Sequence, residues 1–506
     1  METVASTLLV DHLVSWIIVA PIIGLAIVGF LRRAEAIRWV TLGATVLTFA
    51  LSLGLWTGFD HADGGLQFVE RVQWMPTFNI QYAVGVDGIS LPLILLTTLL
   101  TPLCVMCSWR SIETNVKAFM MLILLVEGAM VGVFAALDAL LFFMLWEITM
   151  IPMYFMIALW GGPQRIHAAI KFVLFSLTGS LLLLVGILGL YLEGGSTFDI
   201  LALMQIEYSP KVQFWIFLAL FLAFAIKMPM FPFHTWLPDA HSEAPTAGSV
   251  LLAGVLLKMG GYGFLRFCVP MFPEASAAFS SLILWLSVLA ILYGGYMALA
   301  QSDIKRLIAY SSISHMGFVT LGIFVFNTQG IQGAVLQMFN HGITTGALFI
   351  AVGQLYDRTH SRMISDYGGL HKLMPRFAVL LCIFSVASFG LPGTCNFIGE
   401  FLVLVGTSYR SFAMVLLSMG GIVLAASYML WMLQRVALGP VPPQNADLPD
   451  LNRCEMATVM PLALAVFVIG LYPTFMLDLM HVSATSLIQD MAQVQPLQFT
   501  EVLTWP

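Results

Sequence analysis

Charge is scarce in this chain. Of its 506 residues only 9% are Asp, Glu, Lys or Arg, while 59% are hydrophobic and the mean hydropathy is +0.93. Soluble domains carry about 25% charged residues, so a soluble fold is excluded and the class is a polytopic membrane protein. The net charge of −6 is small and dispersed, and no basic tail is present, which argues against a nucleic-acid partner. Cysteine is sparse too. There are six, mostly inside apolar runs, and the one CxxC (Cys104, Cys107) lies in LTPLCVMCSW without companion ligands. These cysteines read as packing residues, and no metal site is expected. No GxGxxG follows a strand, no P-loop occurs, and no cysteine array could hold an iron–sulfur cluster. Neither a redox active site nor a cofactor is therefore expected in this chain, and its energy must come from a partner subunit or another ion gradient. The first apolar run is too long for a signal-peptide core and lacks a charged segment before it, so it is expected to stay as a spanning helix.

What the chain has in abundance is apolar runs of about 20 residues, the length a bilayer core demands. They predict fourteen helical spans near 13–31, 39–57, 87–108, 118–136, 139–159, 168–191, 212–231, 246–268, 278–298, 305–325, 332–355, 377–406, 411–433 and 455–477. The runs lack the strict alternation of a barrel, so the fold class is all-α. With the N-terminus outside, fifteen lysines and arginines fall on inner loops and four (Arg71, Lys211, Arg266, Arg410) on the outer side. The remaining two of the 21 are Lys227 and Lys258, inside the membrane. Such a bias follows the positive-inside rule and puts both termini on the outer side. The segment 58–86, strand-like on both sides of Met75-Pro76, reads as a hairpin on the outer surface, centred near 64–86. The tail from 478 to 506 reads as short and without a long amphipathic helix.

Two spans are interrupted. The seventh breaks at KMPMFP and the twelfth at GLPGTCNFIGEF (390–401). They lie an odd number of spans apart, so equivalent units around them would have opposite topology, as in transporters whose unwound backbone lines an ion path. The spans also hold a short list of ionisable residues: Glu127, Glu147, Lys227, Lys258, His315, His341 and Glu400. A lysine at a helix centre costs roughly 2.5 to 3.5 kcal/mol on insertion scales, so such groups face a bundle interior or water and mark a function. Glu147 and Lys227 are natural partners: burial penalises each charge and mutual attraction keeps both ionised, so separating them acts as a switch. Lysine at 258 suits proton transfer because, unlike arginine, it exchanges its proton readily when buried. His315 and His341 add groups that titrate near neutral pH. Glu127 is free to pair with Lys227 or a neighbouring subunit. His234 and His241, with Asp138, Asp239, Glu243 and Asp303, look interfacial and form an inner mouth or satisfy helix ends. The set consists of proton carriers without a ligand cage.

The segments FFMLWEITMIPMY, FAIKMPMFPFHTWLPDAHSEAPTAGSVLLAGVLLKMGGYG, SDIKRLIAYSSISHMGF, QMFNHGITTGALF and GLPGTCNFIGEF resemble the antiporter-like proton-channel family over nearly the whole chain. Members of that family are membrane-arm subunits of the proton-translocating NADH–quinone oxidoreductase (respiratory complex I) and of multi-subunit sodium/proton antiporters. The resemblance implies about fourteen spans with two inverted five-helix repeats, spans four to eight and nine to thirteen. The chain then divides into a three-helix segment with the outer hairpin (1–117), a first repeat (118–268), a second repeat (269–436), and a linker, last span and outer tail (437–506). By motif, Glu147 and Lys227 would be the coupling pair and Lys258 the central carrier. His315 and His341 would extend the axis, and Glu400 would end the route outward. A glutamate rather than a lysine at the second break marks one of the sister subunits within the family. The resemblance further implies a non-redox translocase subunit of the respiratory electron-transport chain in a bacterial inner membrane. Its partners would be other membrane-arm subunits, sister antiporter-like ones included, with flavin, iron–sulfur clusters and quinone in those partners. The alternative is a subunit of a Na+/H+ antiporter.

Overall fold

The computed structural model describes residues 12–494. Hydrocarbon offers no partner to a free amide or carbonyl, so the apolar runs satisfy themselves as helices. In order these are α1 (Leu13–Phe30), α2 (Ala34–Gly58), α3 (Ser90–Ser111), α4 (Val116–Ala135), α5 (Ala139–Trp160) and α6 (Arg165–Glu193). Next come α7 (Pro210–Lys227), the short α8 (Trp236–Glu243), α9 (Thr246–Met271), α10 (Pro273–Leu299), α11 (Ile304–Phe324) and α12 (Thr328–Thr359). The chain continues through α13 (Pro375–Ser388), α14 (Cys395–Ser408), α15 (Phe412–Ala437), α16 (Arg453–Leu471) and α17 (Thr474–Val494). Among the described residues thirteen helices are long and apolar enough to cross a membrane. The half-length pair α13 and α14 makes the fourteenth crossing, in agreement with the expected count.

Both expected interruptions are present, and in each the freed backbone groups find side-chain partners, as a buried break requires. After α7 stops at Lys227, the Trp236 indole donates to the Ile226 carbonyl at 2.9 Å. Between α13 and α14 the chain turns through Gly390 and Gly393, at φ +71° and +91°, a region in which side-chain-bearing residues are strained. Here the Asn340 amide donates to the Cys395 carbonyl at 2.7 Å and Asn396 to the Ser388 carbonyl at 3.3 Å.

The expected hairpin pairs β1 (Gln67–Met75) with β2 (Ile80–Val86), antiparallel, from Gln67 opposite Val86 to Met75 opposite Ile80. It is strapped to the bundle at both edges. Glu70, buried on β1, accepts from the Ser15 amide of α1 at 3.0 Å, and Asp138 accepts from the Gln81 amide at 3.0 Å. Asp138 also caps α5 through the Leu140 and Leu141 amides. It therefore satisfies a helix end, the second of the two roles expected of it, and ties the hairpin to α5.

One expectation fails at the end of the chain. The last span stops at Leu471, just before Pro473, and the tail carries a further helix of 21 residues, α17. Proline cannot continue a helix hydrogen-bonded on its N-terminal side, so the apolar run splits and its end joins α17. That helix buries Met476, Leu479, Met480, Ala484, Ile488 and Met491, and Ser483 Oγ accepts from the Gly88 amide at 3.1 Å. Both chain termini, and with them the side on which they lie, fall outside the described residues.

The helices at the centre of the bundle are α9, α11 and α12, whose apolar windows are 94–100% buried, against 28–39% for α1, α2, α6, α15 and α16. The central three carry Lys258, His315 and His341.

Candidate functional site

Lys258 lies on α9 between two π-helical stretches, Leu252–Leu256 and Phe264–Cys268. Such bulges widen a helix locally and are frequent at functional sites. Gly260 lets α9 press onto the end of α7: a Cβ there would meet the Phe224 carbonyl oxygen at 2.8 Å. Lys258 is fully buried and bonds to the Ala253 carbonyl of its own helix and, at 2.8 Å, to His341 Nδ1. The rings of His341 and His315 are 5.6 Å apart. His315 Nδ1 lies 2.9 Å from Glu400 Oε1, which also accepts from the Gln337 amide at 2.9 Å. Ser388, the last residue of α13, is 3.4 Å from His315 Nε2. Four residues that the sequence singles out separately therefore form one buried row, Lys258–His341–His315–Glu400, ending at the second broken helix. Each link is a hydrogen bond or one ring-to-ring gap.

The expected Glu147–Lys227 ion pair is not formed. Lys227, the buried last residue of α7, has its ammonium 5.0 Å from the centre of the Trp146 ring, and among the described residues it has no ion pair within 4.0 Å. Helix geometry explains this. Successive residues are about 100° apart around an α-helix, so turning Trp146 onto Lys227 turns Glu147 away from it. Glu147 is half-buried, has one carboxylate oxygen enclosed without a partner, and shares its stripe with the exposed Ile151 and Phe155. A cation over an indole face is attracted to the ring's π-cloud, so Trp146 supplies Lys227 with the nearest stabilising group.

The secondary candidates separate. His241 is fully buried, stacks on Phe349 at 5.0 Å, has both ring nitrogens without partners, and stands within electrostatic reach of Lys305 and Lys258. His234 packs against Phe231 and Tyr293 with Nδ1 unpartnered. Glu127 is buried in α4 with neither oxygen hydrogen-bonded, and it joins no member of the row. The acids around α8 are tied down: Asp239 to Lys171 at 2.6 Å and Arg306 at 3.3 Å, Glu243 to Arg362 at 3.2 Å, and Asp303 to Arg362 at 3.3 Å. They form a charged collar around the helix ends, and Lys305 reaches past it to the Ala244 carbonyl at 2.8 Å.

Several polar groups escaped the sequence reading. Arg266, counted there as an outer-loop charge, is buried inside α9 and pairs with Asp87 at 2.6 Å and with the Tyr262 hydroxyl at 3.1 Å. An arginine is thus present inside a span, near its end, because a carboxylate just ahead of α3 neutralises it. Lys305 and Gln337 were likewise passed over. Their positions in a loop-adjacent SDIKR and an apolar GAVLQMF carry no sign of the neighbours that give them a role.

Two discontinuous helices with a buried lysine–histidine–glutamate row define an antiporter-like ion-conducting membrane protein. Comparison with known proteins narrows this. Residues 136–425 match the family described as NADH:quinone oxidoreductase/Mrp antiporter, TM, and residues 17–132 match NADH-ubiquinone oxidoreductase chain 4, amino terminus. NADH-quinone oxidoreductase subunit M of Rhodobacter capsulatus is 44% identical over 500 residues, covering 95% of this chain and 97% of that one. NADH-ubiquinone oxidoreductase chain 4 of Arabidopsis thaliana is 44% identical over 479 residues, covering 94% and 97%. In structure, a chain of respiratory complex I from Thermus thermophilus superposes with a TM-score of 0.88 at 34% identity, covering 94% of this chain and 99% of that one. A chain of the Mrp complex from Dietzia sp. DQ12-45-1b shares the fold at 19% identity and a TM-score of 0.85, covering 96% and 99%. The chain belongs to the NADH:quinone oxidoreductase/Mrp antiporter family, in its subunit M (chain 4) branch.

Proposed function

We propose that this chain conducts protons outward across a bacterial inner membrane as a membrane-arm subunit of an NADH–quinone oxidoreductase. The observation that carries the reading is the row Lys258–His341–His315–Glu400, which runs from the three most deeply buried helices to the second broken helix. Protons enter from the inner side past the Lys305 collar and His241, load Lys258, and pass along the two histidines to Glu400, which delivers them outward. Lys227 and Glu147 are the trigger. Because Glu147 sits on the exposed stripe of α5, its charge is available to a neighbouring subunit, and a charge shift there reaches Lys227 across Trp146. Moving one charge outward against 100 mV costs about 2.3 kcal/mol. A swing of roughly two pKa units in the carrier covers that, each unit being about 1.36 kcal/mol.

Flavin, iron–sulfur and quinone chemistry belongs, on this reading, to partner subunits, with this chain contributing no redox group. Sister antiporter-like subunits adjoin it in the arm, and both termini face outward. The deciding experiment is the proton-to-electron stoichiometry of the reconstituted complex with Lys258→Ala. Fewer protons per quinone reduced, with NADH oxidation by an artificial acceptor unchanged, is the expected result. Unaltered stoichiometry in a fully assembled complex would overturn the assignment.

A further inference from the structure

The ends of α2, α3, α12 and α16 that bear Arg38, Arg110, Arg358 and Arg453 enclose a cavity of about 300 Å³, and no member of the proton row lines it. Its floor is short of donors. The Gln354 amide nitrogen donates to the Glu455 carbonyl at 3.2 Å and Thr458 Oγ1 at 3.1 Å, while its Oε1 is buried without any donor. Gln354 itself is only 6% exposed, so water reaches that oxygen poorly. Asp357, three residues along the same helix and on the same cavity wall, has no ion-pair partner within 4.0 Å among the described residues. Glu455 differs: Arg358 clamps both its oxygens at 2.8 and 2.7 Å and neutralises it. Arg110, exposed on the cavity lining, has no ion-pair partner within 4.0 Å among the described residues. Between the two charges the wall is apolar, built from Met106 and the edge-to-face pair Trp39 and Trp109, whose rings are 4.9 Å apart.

The cavity therefore asks for three things at once. The buried Gln354 Oε1 needs an N–H donor, the exposed Asp357 beside it favours that donor being cationic, the exposed Arg110 suits an anionic group, and Trp39 and Met106 offer an apolar body a surface. A buried acceptor left without a donor is destabilising, and hydrogen bonds to charged groups are the stronger kind. Tryptophans at helix ends mark the headgroup level of a bilayer, so the ligand comes from the membrane. We infer that this cavity binds the headgroup of an aminophospholipid, with its ammonium between Gln354 Oε1 and Asp357, its phosphate at Arg110, and its chains descending past Met106. A choline head carries no N–H and leaves Gln354 unsatisfied. A purely anionic head brings no cation to Asp357. The bound lipid staples the N-terminal helix pair α2 and α3 to α12, the helix that carries His341.

The test uses the whole purified complex, reconstituted in nanodiscs containing a photoreactive phosphatidylethanolamine, with peptide mapping of the cross-link. The label should fall on the peptide spanning Met106 to Arg110. Unlabelled phosphatidylethanolamine should compete about tenfold better than phosphatidylcholine, the size of effect one hydrogen bond to a charged group gives. Asp357→Asn should remove most of that preference. Absence of label from this peptide, equal competition by phosphatidylcholine, or equal competition by phosphatidylglycerol would each overturn the assignment. The wild-type competition series decides the matter even where the variant does not assemble.

Discussion

His315 on α11 and Glu400 on α14 meet at 2.9 Å with both side chains buried, and this contact joins the second broken helix to the central row. The break at Gly390–Gly393 lets α14 start again with Glu400 facing inward, where Gln337 donates to it as well.

Glu400→Gln should preserve the contact with His315 while removing the capacity to ionise. The complex should assemble normally and lose proton release, read as a lower proton-to-electron ratio in proteoliposomes. Glu400→Leu removes the partner of a buried polar cluster. It should also destabilise, by about 1–3 kcal/mol for the groups left unsatisfied, seen as a lower melting temperature of the complex. Equal proton ratios for Gln and wild type would remove Glu400 from the route.

Trp146→Leu deprives Lys227 of its nearest stabilising group without touching either charge. A cation over a desolvated indole is worth about 2 kcal/mol. Turnover coupled to quinone should therefore fall, though less than in Glu147→Gln, which deletes the trigger. A Trp146→Leu complex with wild-type proton stoichiometry at every membrane potential would show that the ring only packs.

Asp87 and Arg266 form a buried ion pair at 2.6 Å. Asp87→Asn leaves the guanidinium without its counter-charge and should cost about 3–5 kcal/mol, measured as loss of assembled complex on native gels. Asp87→Asn combined with Arg266→Met should recover most of it, since a replaced pair is tolerated better than a broken one. Burial on its own would raise the Asp87 pKa, but Arg266 and the Ser90 hydrogen bonds outweigh it and hold the carboxyl below its ordinary value. The stabilisation is thus fully present above the usual aspartate pKa of about 3.9 and fades as pH drops through the lower folded value.

Gly88→Val tests how α17 is held. A Cβ at Gly88 would lie 2.3 Å from the Leu479 carbonyl oxygen, so the helix must move. Overpacking of this kind costs about 1–3 kcal/mol, and the variant should expose α17 to protease while leaving the rest of the bundle resistant. Cleavage no faster than in wild type would show that the docking tolerates the shift.

Much of the architecture was legible from composition and spacing. Span number, the two breaks and several of the buried titratable groups follow from hydrophobic length and from the cost of placing Lys227, Lys258 or Glu400 in hydrocarbon, and those costs are properties of single residues. The errors have a common cause. Arg266 was assigned to a loop because its neutralising partner, Asp87, is remote in sequence. The tail helix α17 was missed because its apolar face is recognisable only once α12 and the start of α3 are there to cover it. The Glu147–Lys227 pair was expected because opposite charges in lipid should meet. The sequence carries no sign that the rotation of α5 interposes Trp146.

By itself, then, the chain of residues determined that this is a fourteen-span membrane protein with titratable groups inside its spans, since length and desolvation act locally. Only the tertiary structure decided which of those groups touch. The row Lys258–His341–His315–Glu400 draws on four different helices, α9, α12, α11 and α14. Contacts among them depend on helix rotation and on the close approach that Gly260 and the π-helical stretches allow, quantities that no stretch of sequence contains.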